Sequence, residues 1–169
     1  MQRQIDLAYC AGLVDGEGYI GIKRTKAYRC QGRATPGYHA RIGIKMVTEE
    51  AIAFFAETMG GWYWPEKPSL ANGRPYFVYQ ATNAKAEGIL RELLPYLKVK
   101  RQSAEAVLQL RELQAAGKQH RTKITGYRNF PNSHGTPRQV PNLSYSDEYV
   151  AMCDTLYLRC RELNRVGIT

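Results

Sequence analysis

Tyr9-Cys10-Ala11-Gly12-Leu13-Val14-Asp15-Gly16-Glu17-Gly18 (YCAGLVDGEG) is the stretch of this 169-residue chain from which the rest is best read. It has the composition of a helix that is apolar nearly all round and ends in two carboxylates set among glycines. A helix without a polar face must be covered on both sides. Ala8, Gly12 and Gly16 recur at every fourth position and share one stripe. Small residues at that spacing let two helix backbones approach closely, a steric effect best documented in membranes. Asp15 and Glu17 stand at the end of the stripe, where the helix dipole tolerates a carboxylate only beside a cation or ample solvent. Two copies packed stripe to stripe bring two carboxylate pairs to one point, and a divalent metal answers the repulsion.

The formal net charge is +9, and its distribution says more than its size. Gly18 to Thr48 holds seven Lys or Arg and no Asp or Glu; Leu113 to Ser146 holds five and again no acid. Basic, acid-free stretches interleaved with Tyr and His are the electrostatic footprint of a phosphate-backbone partner. A hydrophobic content of 44% fits a globular chain, and no apolar run is long enough to span a bilayer, so no membrane partner is expected. The N-terminus lacks the apolar core of a signal peptide, which predicts an intracellular protein, in a bacterial cytoplasm, plastid or mitochondrion. Cys10, Cys30, Cys153 and Cys160 show no zinc-site spacing and read as buried thiols.

Beyond the first helix, residues 19–28 alternate, with Ile20 and Ile22 opposed to Gly21, Lys23 and Thr25. After a Gly/Pro-containing tip, Tyr38 to Met46 alternates again: Ala40, Ile42, Ile44 and Met46 against His39, Arg41, Gly43 and Lys45. Thr48 opens a helix carrying Ile52, Phe55, Ala56 and Met59, stopped by Gly60-Gly61. Trp62 to Glu66 and Pro75 to Thr82 form a second hairpin, with Asn72-Gly73 as a turn signal. Asn83 caps a helix that Pro95 ends, and a further helix runs from about Arg101 to Leu113. Gln114 to Tyr145 shows no periodicity and reads as a long basic loop. Ser146-Asp147-Glu148 opens a final packing helix. The expected class is α+β: residues 1–113 as the core, 114–145 as the basic loop, and 146–169 as a helix packed on the same domain.

Residues 10–18 resemble, without gaps, the motif of the LAGLIDADG homing endonucleases, with Cys10 for the first Leu and Glu17 for the second Asp. The element order also resembles that family's αββαββα core, which implies an antiparallel DNA-binding sheet with additional C-terminal helices. A single motif implies a homodimer, with Ala8, Ala11, Gly12 and Asp15 at the interface and a near-palindromic double-stranded DNA target. The implied activity is a metal-dependent double-strand break, in the setting of a mobile intron. The alternative is a non-catalytic nucleic-acid binder, such as an intron RNA maturase or a regulator.

The resemblance makes Glu17 the metal-binding acid. Mg²⁺, or another divalent ion such as Mn²⁺, suits a site of few carboxylates because it keeps waters and borrows phosphate oxygens. Asp15 is either a further ligand or a structural residue bonding near the helix ends, and the carbonyl of Gly16 is a candidate metal contact. Family members place a lysine after a Pro-x-Leu segment, which here is Pro95-Tyr96-Leu97 and points to Lys100, with Lys98 as rival. Some relatives hold water with a Gln and an Arg at the start of the second helix; Val47-Thr48-Glu49-Glu50 stands there instead, leaving Thr48 or Glu49 for that task.

For DNA reading, Lys23, Thr25, His39, Arg41 and Lys45 share the outward face of two strands. Arg24, Lys26, Arg29 and Arg33 are expected at phosphates, as is Arg121 in the basic loop. In the second hairpin the facing is open: Trp64, Glu66, Tyr79 and Gln80 are candidates, while Trp62 and Tyr76 read as core.

Overall fold

The computed structural model describes residues 1–27, 35–68, 73–130 and 138–165. Arg29, Cys30, Arg33, Asn72 and most of the first hairpin tip lie outside the described residues. In chain order the elements are α1 (Gln2–Glu17), β1 (Gly18–Thr25), β2 (Gly37–Met46), α2 (Glu49–Met59), β3 (Tyr63–Glu66) and β4 (Tyr76–Thr82). They continue with α3 (Asn83–Leu93), α4 (Arg101–Ala115), β5 (Lys123–Phe130), β6 (Arg138–Ser144) and α5 (Asp147–Arg165).

The first four strands form one antiparallel sheet in the order β1-β2-β4-β3. Strand alternation puts Ile20, Ile22, Ala40, Ile42, Ile44, Tyr79 and Ala81 on one face, all buried. The helices cover that face. Ile52, Phe55 and Met59 of α2, Ile89, Leu90 and Leu93 of α3, and Ala104, Val107 and Leu110 of α4 complete the core. Each aliphatic side chain fully buried there contributes about 1.5–3 kcal/mol relative to exposure. Among the described residues, no helix covers the opposite face, where Lys23, Lys45 and Gln80 are exposed.

α5 starts as the sequence predicts: the Ser146 hydroxyl accepts the N–H of Tyr149 at 3.2 Å. It packs on α4 and β1, with Cys153 and Cys160 buried. Asn164 donates to the carbonyl of Ile20 at 2.9 Å, occupying an acceptor on edge strand β1.

Three expectations change. The described residues of 114–145 are not an irregular loop: α4 runs on to Ala115, a 3-10 turn spans Gly117–His120, and β5 pairs with β6 as a separate two-stranded ribbon. An irregularity between Ile124 and Gly126 and the proline within β6 interrupt the alternation that would have revealed the strands. Trp62 lies outside β3 and is 77% exposed, not core. Asn83 is the first residue of α3, at φ 50, and the N-cap is Thr82. Among the described residues, no helix is long and apolar enough to cross a membrane.

Candidate functional site

The end of α1 turns directly into β1. Gly18 N–H closes the last turn on the carbonyl of Val14, and a Cβ at Gly18 would stand 2.7 Å from Val14 Cα and O. Only glycine allows that approach without displacing backbone. The carboxylate of Asp15 is therefore delivered to the segment entering α4. It accepts the N–H groups of Lys98 at 2.7 Å, Val99 at 3.2 Å and Lys100 at 2.8 Å. Unpaired amides at a helix N-terminus carry partial positive charge, so α4 supplies what the C-terminus of α1 withholds from this acid. Lys100 completes the joint: its ammonium donates to the carbonyls of Val14, at 3.0 Å, and of Asp15. Both carbonyls belong to the last turn of α1, where the Val14 carbonyl also accepts the Gly18 N–H. Burial pulls the Lys100 pKa below the usual lysine range, and the negative charges of Asp15 and Glu17 oppose that shift.

Glu17 is left out of this joint. It is exposed, and among the described residues its side chain makes no hydrogen bond or ion pair. It rims a shallow concavity of about 200 Å³ shared with Tyr19, Arg41, Lys45 and Gln80. An uncommitted carboxylate beside the exposed Gly16 fits a divalent ion that keeps most of its waters. Among the described residues, no cluster of three or more His, Cys, Asp or Glu side chains is placed to share one ion. Further ligands would have to come from water, phosphate or a second chain.

Cross-strand register decides which candidates share the outer face. Lys23 pairs with His39, Gly21 with Arg41, Arg41 with Thr82, Lys45 with Val78, and Glu66 with Tyr76. Lys23, Thr25, His39, Arg41, Lys45, Trp64, Glu66 and Gln80 therefore lie together on the uncovered side. Their side chains are held across strands: Arg41 donates to Gln80 at 2.8 Å, and Lys45 meets Glu66 at 2.8 Å while lying 4.6 Å from the ring centre of Tyr76. Thr25 donates to the Gly37 carbonyl at 3.3 Å, and Lys26 is exposed just past the strand.

Two candidates face elsewhere. Tyr79 is opposite Ile44 on the covered side, 1% exposed, with its hydroxyl donating to the Gly60 carbonyl at 2.7 Å. Arg24, opposite Tyr38 in register, turns toward α5 and binds Asp154 at 2.7 Å. The structure also adds a residue. Tyr19 is on the outer face, 47% exposed, its phenol lying over Gly21, where a Cβ would sit 2.2 Å from the hydroxyl. The Tyr19-Gly21-Lys23 alternation carried that signal.

Thr48 is the N-cap residue of α2, and among the described residues it makes no hydrogen bond to Glu17 or Lys100. Glu49 accepts the Tyr63 hydroxyl at 3.0 Å. Arg121 stacks its guanidinium 5.0 Å from the ring of Tyr145. On α1, Leu7, Cys10, Ala11 and Val14 face the core, so Ala11 is not on the small-residue stripe. Ala8, Gly12 and Gly16 are exposed, flanked by Ile5 and Tyr9, and a Cβ built at either glycine meets nothing within 4 Å.

No family model and no curated protein matches the sequence. Solved structures do. The homing endonuclease I-CvuI, in complex with its target in the presence of calcium, shares 22% identity over 69% of this chain and 72% of its own, with a TM-score of 0.54. The archaeal intron-encoded homing endonuclease I-Vdi141I, complexed with DNA, shares 16% over 92% and 98%, with a TM-score of 0.54. The LAGLIDADG homing endonuclease I-LtrWI, bound to target DNA, shares 19% over 70% of this chain and 40% of its own, again at 0.54. Motif helix, strand order and these likenesses agree: the chain has the fold of the LAGLIDADG homing endonucleases.

Proposed function

We propose that this chain is a homodimeric, sequence-specific DNA endonuclease that makes a divalent-metal-dependent double-strand break in a near-palindromic site. Its proposed setting is a mobile intron, acting on DNA inside a bacterial cytoplasm or an organelle. The observation that carries the reading is the unequal use of two neighbouring acids. Asp15 is occupied by three backbone N–H groups, whereas Glu17 stands uncommitted at the rim of a basic sheet face. An acid there repels DNA, so a protein that only bound the duplex would gain nothing from it. Proteins of the same fold are bound to their DNA targets, which supports duplex DNA as the partner.

In this reading Arg41, Lys45, Lys23, His39 and Gln80 meet base edges and phosphates, and binding exchanges the Arg41–Gln80 and Lys45–Glu66 contacts for DNA. Glu17, with the Gly16 carbonyl, would hold Mg²⁺ or Mn²⁺, which when bound supplies charge relief at the scissile phosphate. Lys100 spends two of its N–H bonds on α1 and has a third for a phosphate oxygen or the attacking water. The exposed stripe of Ile5, Ala8, Tyr9, Gly12 and Gly16 takes the same stripe of a second copy, so that a Glu17 from each chain flanks the twofold axis.

One observation favours a second reading. Glu49 is engaged by Tyr63, and the Thr48 region offers neither a Gln nor an Arg to hold water, as suits a non-catalytic DNA binder or an intron RNA maturase. Mg²⁺-dependent cleavage of a randomised, palindrome-biased duplex library separates the two. The nuclease reading expects discrete double-strand cuts in near-palindromic sites, abolished in Glu17→Gln while DNA affinity survives. Selective capture of DNA or RNA with no cut at any sequence would sink it.

A further inference from the structure

We infer that the β5–β6 ribbon, with Arg121 at its base, is a second contact for duplex DNA, engaging the outer end of the bound site beyond the reach of the β1–β4 sheet. The inference rests on the DNA-binding reading above and adds to it a separate structural arm.

The placement follows from chain direction. Glu17 immediately precedes β1, so the Gly18 end of that strand marks the candidate cleavage position and Thr25 its far end. Eight residues of strand laid along a groove span about 23 Å, or about 7 base pairs of duplex. At that far end, Gly37 and His39 border a cavity of about 590 Å³ whose other wall includes Arg121, Leu143 and Tyr145. The base of the ribbon thus adjoins the end of the sheet that lies farthest from Glu17.

The ribbon's own chemistry points to a polyanion. A two-stranded hairpin is marginal in water without something to pack on. At its base this one is anchored by several contacts: Lys123 binds Asp147 at 2.7 Å, Ser146 N–H donates to the His120 carbonyl at 2.8 Å, and Tyr149 stacks on both His120 and Tyr145. Farther out, Ile124, Tyr127 and Leu143 are 53%, 61% and 50% exposed. By register they share a face with Asn129 and Gln139, while Arg128 lies on the opposite face. No carboxylate occurs from Leu113 to Ser146. An apolar protein partner would explain the first face alone. A groove explains both, because amides and apolar side chains read base edges and methyl groups while flanking cations hold the phosphate walls.

The test uses the full chain and mixed-sequence duplexes of about 40 and about 14 base pairs, titrated across salt by fluorescence anisotropy. The variant Tyr127→Ala/Arg128→Ala/Asn129→Ala alters exposed positions only, and thermal unfolding checks that it folds. The wild type is expected to prefer the long duplex with a salt dependence steeper by about one phosphate contact or more. The variant should lose about tenfold on the long duplex and nothing on the short one. Equal long-to-short ratios and equal salt slopes for both proteins would overturn the inference and leave the sheet reading standing. Failure of the wild type to bind either duplex at low salt would reject DNA binding itself. Tighter capture of a structured RNA, weakened by the same variant, would reassign the ribbon to RNA.

Discussion

The backbone N–H of Lys100 donates to the carboxylate of Asp15 at 2.8 Å, while the ammonium of the same lysine donates to the main-chain carbonyl of Asp15. Each residue holds the other through both backbone and side chain. The C-terminus of α1 and the N-terminus of α4 are thereby locked head to tail, and Glu17, two residues along, is presented at a fixed place without contributing to the lock.

Asp15→Ala strands three backbone N–H groups and should destabilise the fold by about 2–4 kcal/mol, since bonds to an ionised acceptor are the stronger kind. Asp15→Asn keeps one acceptor oxygen and should cost less. Chemical denaturation of both variants checks this; a loss within experimental error for Asp15→Ala would mean that the joint does not hold α1 to α4.

Gly12→Val should leave the single-chain fold intact, because a Cβ there meets no atom within 4 Å beyond the backbone of its own helix. In the proposed dimer it would force two backbones apart. Sedimentation is expected to show a shift from dimer to monomer, with cleavage lost and the circular dichroism spectrum unchanged. A variant that stays dimeric would place the interface elsewhere.

Arg41 is the sheet residue whose removal discriminates base readout from phosphate contact. Arg41→Ala should relax sequence preference at a few base pairs, each by about 1–3 kcal/mol, and free Gln80 from its cross-strand bond. Selection from a randomised library reads the outcome, and a uniform weakening across all sequences would make Arg41 a phosphate contact instead.

Stability should fall as pH rises from about 9 to about 11. Burial pushes the thiols of Cys10 and Cys160 from 9.0 up to about 11, so in that window the unfolded chain has released protons that the folded chain retains. Raised tyrosines, among them Tyr38 at about 12, extend the loss upward. Lys100, its pKa lowered, acts in the opposite sense: folding is favoured as it deprotonates, but one ammonium is set against two thiols. Urea titrations at stepped pH test the sign, and Cys160→Ala should flatten the slope.

Much of this was legible in the residues because it is local. An apolar helix ending in glycines and acids, and strands of period two with Ile inside and Lys or Arg outside, need no distant partner to be recognised. β4 was not legible in the same way. Tyr76, Phe77, Val78 and Tyr79 are apolar on both faces, so alternation could not say which side met the helices. Pairing of Ile44 with Tyr79 sends Tyr79 inward and leaves Gln80 beside Arg41.

The sequence by itself determined the α+β order, the motif helix and the basic character of the sheet's outer residues. Those properties reside in periodicity, charge and spacing along the chain. Only the tertiary structure divided the two acids. Which of them finds three N–H donors depends on where α4 begins relative to the end of α1, separated by more than 80 residues of chain. It likewise turned Arg24 toward Asp154 and folded an apparent loop into a ribbon beside the far end of β1, because long-range pairing is decided by packing geometry and leaves no local trace.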